Sequence, residues 1–233
     1  MPYFIASPQG KQVELTGQDA EHLARSLRAR PGEVISVVDP GDGHEGSLLQ
    51  VRLDSVDTRL VRGIVEGSQP HRPEPQAEIT VALALAPAPP LEEALARCTE
   101  LGAARFVLVL TRRSVVREVA PRKAERWSTI CREAAMLAGR LRVPEVLGPV
   151  MLEEAAGMVR AQPVLLDRGA ERRLAEVSEP RDLLLVLGPE GGWSPEELSW
   201  AGESTATLGP RNLRLENAAA TAVAVALVAR GDL

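Results

Sequence analysis

Apolar and polar positions change rhythm once along this chain. Up to about residue 66 the apolar positions come in short, partly alternating runs. Val34-Ile35-Ser36-Val37-Val38, Ser47–Leu53 and Arg59–Val65 read as strands, because alternation places every second side chain on one face. Asp39-Pro40-Gly41-Asp42-Gly43 supplies turn chemistry, and Asp19–Arg30 reads as one helix stopped by Pro31-Gly32. Short strands around a single helix predict a small, mostly β barrel. Residues 67–76, GSQPHRPEPQ, hold three prolines and no apolar side chain, and so read as a linker. The boundary predicts one domain over residues 1–68 and a second over 77–233.

Beyond it, continuously apolar strands alternate with helices. The strands are Ile79–Leu85, Phe106–Leu110, Val164–Leu166 and Leu183–Leu187, with the stiff Ala86-Pro87-Ala88-Pro89-Pro90 after the first. Helices are predicted over Leu91–Leu101, stopped by Gly102, over Pro121–Leu141, with Pro144 beyond its end, and over Leu152–Ala161. Ser194-Pro195-Glu196-Glu197 opens another with a capping box. Strands apolar on both faces predict a parallel sheet covered on both sides, an α/β domain. The last helix, Leu215–Arg230, is small or apolar on nearly every face, which requires burial. It is buried either under its own domain or against a second copy; its many alanines permit close approach, and a homodimer is the expectation.

Composition narrows the function classes. The chain has 233 residues, 45% apolar and 25% charged, which is ordinary for a globular protein. It holds no uncharged apolar run of about 18 residues, so no membrane span is expected. Its first residues lack a basic segment followed by an apolar one, so no secretory signal is expected. Cys98 and Cys131 form no CxxC pair, and His22, His44 and His71 are scattered, which predicts neither a disulfide framework nor a metal site. A reducing cytoplasm is the expected compartment. The net charge of −5 argues against a general polyanion binder, yet residues 105–142 carry ten basic side chains and three acidic ones. That stretch reads either as a solvated arginine-rich face or as a local phosphate-contacting surface.

Two glycine-bearing loops are the candidate chemistry. Leu187-Gly188-Pro189-Glu190-Gly191-Gly192-Trp193 follows the most apolar strand and precedes the best-capped helix, at a strand's carboxyl end where α/β proteins collect ligands. It matches neither phosphate-binding glycine pattern, and Glu190 suits a cation better than a phosphate. Leu208-Gly209-Pro210-Arg211-Asn212-Leu213-Arg214 precedes the final helix, whose first turn holds Glu216, favourable for the helix dipole. By spacing alone the two loops read as one ligand site, with a tight strand-to-helix turn as the alternative for the first.

The two stretches LGPEGGWSPEEL and LGPRNLRLENAAATAVAVAL resemble the C-terminal half of the ribosomal RNA small subunit methyltransferase E family, whose pattern is GPEGG followed by LG-x-x-ILR-x-ETA. EHLARSLRARPGE, RCTELGAARFVLVLTRRSV and EAAMLAGRLRVPEV resemble further family segments, in the right order over almost the whole chain. The resemblance implies a PUA-like β barrel followed by a SPOUT-class α/β domain with a deep trefoil knot and a dimer formed through the knot. It implies methylation of N3 of a uridine in 16S rRNA of the small ribosomal subunit, with S-adenosylmethionine as cofactor. Carried over, it assigns Leu166, Leu187, Gly188, Pro189, Glu190, Gly191 and Gly192 to the cofactor, together with Leu208, Gly209, Leu213, Arg214, Glu216 and Ala218. Arg25, Arg28, Arg113 and Arg140 are the arginines expected to face RNA, and Arg113 and Arg140 those expected to take part in catalysis. Glu190 reads as a structural acceptor within its loop, with the role of base as the alternative.

The chain also departs from the family pattern. Ala86–Pro90 stands where a lysine-containing segment is usual, Met136-Leu137-Ala138 replaces EQS, Arg97 replaces a lysine, and Glu216-Asn217-Ala218 replaces ETA. These departures fall more on expected RNA-facing groups than on cofactor loops. They keep open methylation of another RNA, or an RNA-binding dimeric scaffold with little turnover.

Overall fold

The computed structural model describes residues 3–177 and 182–233. It divides into two compact units: residues up to Glu74 together with Ala135–Arg142, and Pro75–Ala134 together with Val143–Leu233.

The first unit is built on a five-stranded sheet of β1 (Phe4–Ile5), β2 (Gln12–Thr16), β3 (Val34–Asp39), β4 (Gly46–Val56) and β5 (Leu60–His71), in the order β1-β3-β4-β5-β2. Alternate positions point inward, and Phe4, Val13, Leu15, Ile35, Val37, Val51 and Val61 form its core with Leu23. The expected helix is shorter than predicted. A single turn, α1 (Gly17–Glu21), runs into a π-helical turn over His22–Ser26, and the chain then leaves helical geometry at Arg28, with φ of 52°. That departure lets the Ala29 amide donate to the Leu23 carbonyl and returns Ala29 to the core. The first part of the expected linker is strand: Gly67–His71 continues β5 and pairs with Gly46–Gln50. Among the described residues no strand pairs on its other side, where β2 reaches Leu60–Ile64. On such an edge Pro70 costs no ladder hydrogen bond.

Ala135–Arg142 completes this unit, and here one expectation is corrected. Arg140 does not face outward; its side chain is 3% exposed and lies on Glu74, which is 1% exposed. Arg140 Nε and Nη2 donate to the two Glu74 oxygens, and the backbone amides of Leu141 and Arg142 donate to Oε1 at 2.9 and 3.2 Å. A guanidinium gripped in this way is a structural ion pair, not a surface for RNA. The Gly139 carbonyl lies 2.6 Å from His71 Nε2, and a Cβ at Gly139 (φ 66°) would meet the Tyr3 ring at 3.0 Å.

The second unit is a six-stranded parallel sheet. Its strands are β6 (Ile79–Ala84), β7 (Arg105–Leu110), β8 (Glu145–Met151), β9 (Gln162–Leu166), β10 (Leu183–Leu187) and β11 (Thr205–Ala206), in the order β11-β9-β10-β6-β7-β8. Ile79, Val81, Leu83, Leu183, Leu185 and Leu187 meet one hydrophobic layer, which contains α2 (Ala88–Leu101) and α6 (Leu215–Val228). Ala82, Ala84, Leu184 and Val186 meet the other, with α4 (Leu152–Met158) and α5 (Pro195–Ala201). Covered on both faces, the strands have no polar side to alternate with.

α2 opens inside Ala88-Pro89-Pro90, where missing amide protons cost nothing, and ends at Gly102 in left-handed conformation. α3 (Pro121–Ala138) stops short of the predicted Leu141, and β8 was not predicted. α6 is less enclosed than an all-round apolar helix requires. Ala219, Ala222, Val223, Ala226 and Leu227 are buried, whereas Asn217, Thr221 and Val228 are exposed, the last by 59%.

Candidate functional site: a cleft at the carboxyl ends of three strands

β9, β10 and β11 end side by side, and the segments that follow them enclose a cleft of about 330 Å³. This lies toward the small end of the range for small-molecule pockets, about 300–1,000 Å³. Its walls come from Leu166–Arg168 after β9, Leu187–Trp193 after β10, and Thr207–Gly209 after β11. Arg211–Leu213, Leu215 and Ala218 close the remaining side. The two loops singled out by sequence therefore share one cavity.

Local chemistry fixes both loops. In the first, the Gly192 amide donates to the Pro189 carbonyl, closing a turn, and Gly192 then leaves it in left-handed conformation with φ of 70°. Trp193 folds back and its indole N–H donates to the Leu166 carbonyl at 2.8 Å, tying this loop to the end of β9. A Cβ on Gly188 would lie 2.8 Å from the indole, so this glycine makes room for tryptophan rather than for a ligand. Ser194 then caps α5: its Oγ accepts from Glu197 N, and Glu197 Oε2 accepts from Ser194 N at 2.8 Å. In the second loop, the Gly209 amide donates to Thr207 Oγ1 at 3.1 Å.

Most of the residues expected from sequence line this cleft: Leu166, Leu187, Gly188–Gly192, Leu208, Gly209, Leu213 and Ala218. Arg214 and Glu216 do not. Arg214 is exposed at the cap position of α6, and Glu216 is buried behind it with Oε2 unpartnered among the described residues. Sequence reasoning missed Asp167, Arg168, Trp193, Thr207, Arg211, Asn212 and Leu215, although the ends of β9 and β11 place several of them. Arg113 is not among the residues lining the cleft; its Nη1 donates to the Gly191 carbonyl at 2.7 Å and so ties it to the first loop. That bond uses one of five guanidinium donors. Arg25 and Arg28 are exposed on the first unit, Arg25 in a surface pair with Glu21. Two departures from the family pattern meet: Arg97 Nη1 donates to Asn217 Oδ1 at 2.7 Å.

The cleft offers leucines for a flat apolar group, backbone amides and carbonyls for its edges, and Asp167 and Glu190 for positive charge. This donor set fits an adenosine bearing a sulfonium and an amino group. Among the described residues no group of His, Cys, Asp and Glu could hold a metal, and no helix is long and apolar enough to cross a membrane.

A family model for an RNA methyltransferase domain matches residues 72–227, and one for an RNA methyltransferase PUA domain matches residues 15–47. The ribosomal RNA small subunit methyltransferase E of Synechocystis is 32% identical over 228 residues, spanning 91% of this chain and 71% of the relative. The chain belongs to the ribosomal RNA small subunit methyltransferase E family. Among solved structures, the family member from Neisseria gonorrhoeae bound to S-adenosylmethionine is 26% identical, with a TM-score of 0.84, over 98% of this chain and 97% of that one. A putative methyltransferase from Legionella pneumophila with the same bound cofactor is 25% identical, with a TM-score of 0.86, over 98% of each chain.

These matches correct the expected fold class. They support an α/β RNA methyltransferase domain preceded by a PUA-like domain, and not the expected SPOUT trefoil-knot class.

Proposed function

We infer that this methyltransferase transfers a methyl group from S-adenosylmethionine to N3 of a uridine in the 16S rRNA of the small ribosomal subunit. The observation that carries the reading is the single cleft formed by both glycine-bearing loops, in a member of this family, with walls suited to the donor. Leu166, Leu187, Leu208 and Leu213 would hold the adenosine, and Asp167 and Glu190 would face its cationic part. When bound, S-adenosylmethionine supplies an electrophilic methyl carbon.

The protein's own contribution is positioning and charge. Uracil N3 carries a proton that must leave, and the resulting negative charge spreads onto O2 and O4. Arg113, fixed against Gly191, directs its remaining donors to that charge. Among the described residues Glu190 takes part in no hydrogen bond within its loop, and its exposed carboxylate at the cleft is assigned to accept the N3 proton. Arg25 and Arg28, exposed on the unit matched by the PUA-domain model, are assigned to RNA phosphates. The exposed face of α6, with Asn217, Thr221 and Val228, supports a homodimer, and the inferred rRNA substrate favours the cytoplasm as the protein's compartment.

The test is incubation with labelled S-adenosylmethionine and small-subunit RNA from a strain lacking this modification, followed by mass identification of the labelled nucleoside. 3-Methyluridine is expected. Label in another nucleoside, or none, would refute the reading.

A further inference from the structure

The edge of the parallel sheet that carries the cofactor cleft carries a second one. β7 and β8 end in register at Leu110 and Met151, and beyond them lies a cavity of about 340 Å³. Leu110, Met151 and Leu152 give it apolar lining. The exposed Arg112, Arg117, Glu153 and Glu196 bring both signs of charge to its rim. The rim is tied to the first cleft by consecutive residues. The Arg112 amide donates to Glu197 Oε1 at 2.8 Å, while Arg113 donates to Gly191. Thr111 and Ser114 lock this turn, their hydroxyls 2.9 Å apart and buried. One loop thus lines the second cavity and hydrogen-bonds to a loop that lines the first.

We propose that this second cleft binds a nucleotide adjacent to the methylated uridine, and that it takes a base bearing an exocyclic amine. The inference rests on the methyltransferase reading and adds a specificity site to it. Apolar side chains beside exposed arginines are the chemistry that accepts a base with its phosphate. Carboxylates on the rim are acceptors only, so they favour an amino group on adenine, guanine or cytosine over the carbonyls of uracil. Glu196 is charged at neutral pH: a hydrogen bond from Ser194, helped by the charges of Arg112 and Arg113, holds its carboxyl below the usual range. Because Glu196 is thus engaged, Glu153 is the acceptor for the amine. The separation also fits. One strand, β6, lies between β10 and β7, so the near walls of the two cavities are about 10 Å apart along the sheet edge, a gap that a nucleotide flanking the uridine can bridge.

The experiment is steady-state methylation of small-subunit RNA lacking the modification, with Arg117→Ala and Glu153→Ala as variants. Both side chains are exposed, so neither change opens a core. Arg117→Ala is expected to raise KM for RNA about tenfold while the affinity for S-adenosylmethionine stays constant. For the wild type, RNA whose neighbouring base lacks its amine (inosine for guanosine, purine riboside for adenosine) is expected to show a raised KM. Glu153→Ala is expected to abolish that difference. An unchanged KM in Arg117→Ala, or an equal response of wild type and Glu153→Ala to the amine-free RNA, overturns the proposal while the methyltransferase reading stands. A wild type inactive on the same RNA overturns both.

Discussion

Two arginine-bearing turns, Arg112–Arg117 after β7 and Gly139–Arg142 after α3, look alike in sequence. Each sits in the same basic stretch, each follows a regular element, and each matches an arginine of the family pattern. In the structure they have opposite fates. Arg113 is exposed and bonds to the glycine-bearing loop after β10, whereas Arg140 is enclosed with Glu74. The deciding residue is remote: Glu74 lies 66 positions earlier, in a proline-rich segment that reads as linker. Local charge says that a guanidinium needs a partner; only the fold says whether that partner is a phosphate from outside or a carboxylate from within.

The comparison breaks most readily at Glu74. Glu74→Ala removes a buried carboxylate from Arg140 and from two backbone amides, and is expected to destabilise the protein by about 3–5 kcal/mol. Denaturant unfolding measures this, and the folded fraction should still bind S-adenosylmethionine normally. Arg113→Ala should do the reverse. Its kcat/KM should fall about 100-fold, on the scale of losing one charge-stabilising donor, with an unchanged unfolding midpoint. If Arg113→Ala unfolds the protein and Arg140→Ala does not, the contrast is wrong.

Two smaller effects sharpen it. Gly188→Ala places a methyl 2.8 Å from the Trp193 ring and forces the indole off the Leu166 carbonyl. The cofactor dissociation constant should rise about tenfold, within the cost of overpacking one methyl group. Glu92→Gln tests an Arg–Glu pair of the exposed kind. Arg126 donates twice to Glu92, at 2.7 and 2.6 Å, but Arg126 is 65% exposed. The pair should be worth no more than about 1 kcal/mol. The hydrogen bond from Arg126 holds the Glu92 carboxyl below its usual range in the folded chain. Its stabilisation is therefore present at neutral pH, and is lost as pH falls below the ordinary glutamate pKa and through the lowered one. The stability difference between wild type and Glu92→Gln should vanish in strong acid.

The parallel sheet was legible because its strands are apolar on both faces and its helices carry strong signals, Ser194 before α5 and Gly102 after α2. β8 was not, since its pattern is broken at Gly148-Pro149, where the ladder with β7 shifts register. The strand at Gly67–His71 was hidden for a different reason: an edge position paired on one side only tolerates glycine and proline that a central strand would reject. At the site, the loop residues were readable from glycine placement, but the purpose of one glycine was not. Gly188 serves Trp193, five residues on in the chain, and no local rule connects them. Asp167 and Thr207 were missed because each stands directly after a short strand with no motif of its own.

The central claim is that the loops after β10 and β11 form one receptor for S-adenosylmethionine, and calorimetric titration of that compound tests it most directly. The wild type should bind one molecule per chain, and Leu213→Asp, a change at an exposed cleft residue in the second loop, should weaken binding at least about tenfold. Equal affinity in the two proteins, or no uptake by the wild type, would contradict the account.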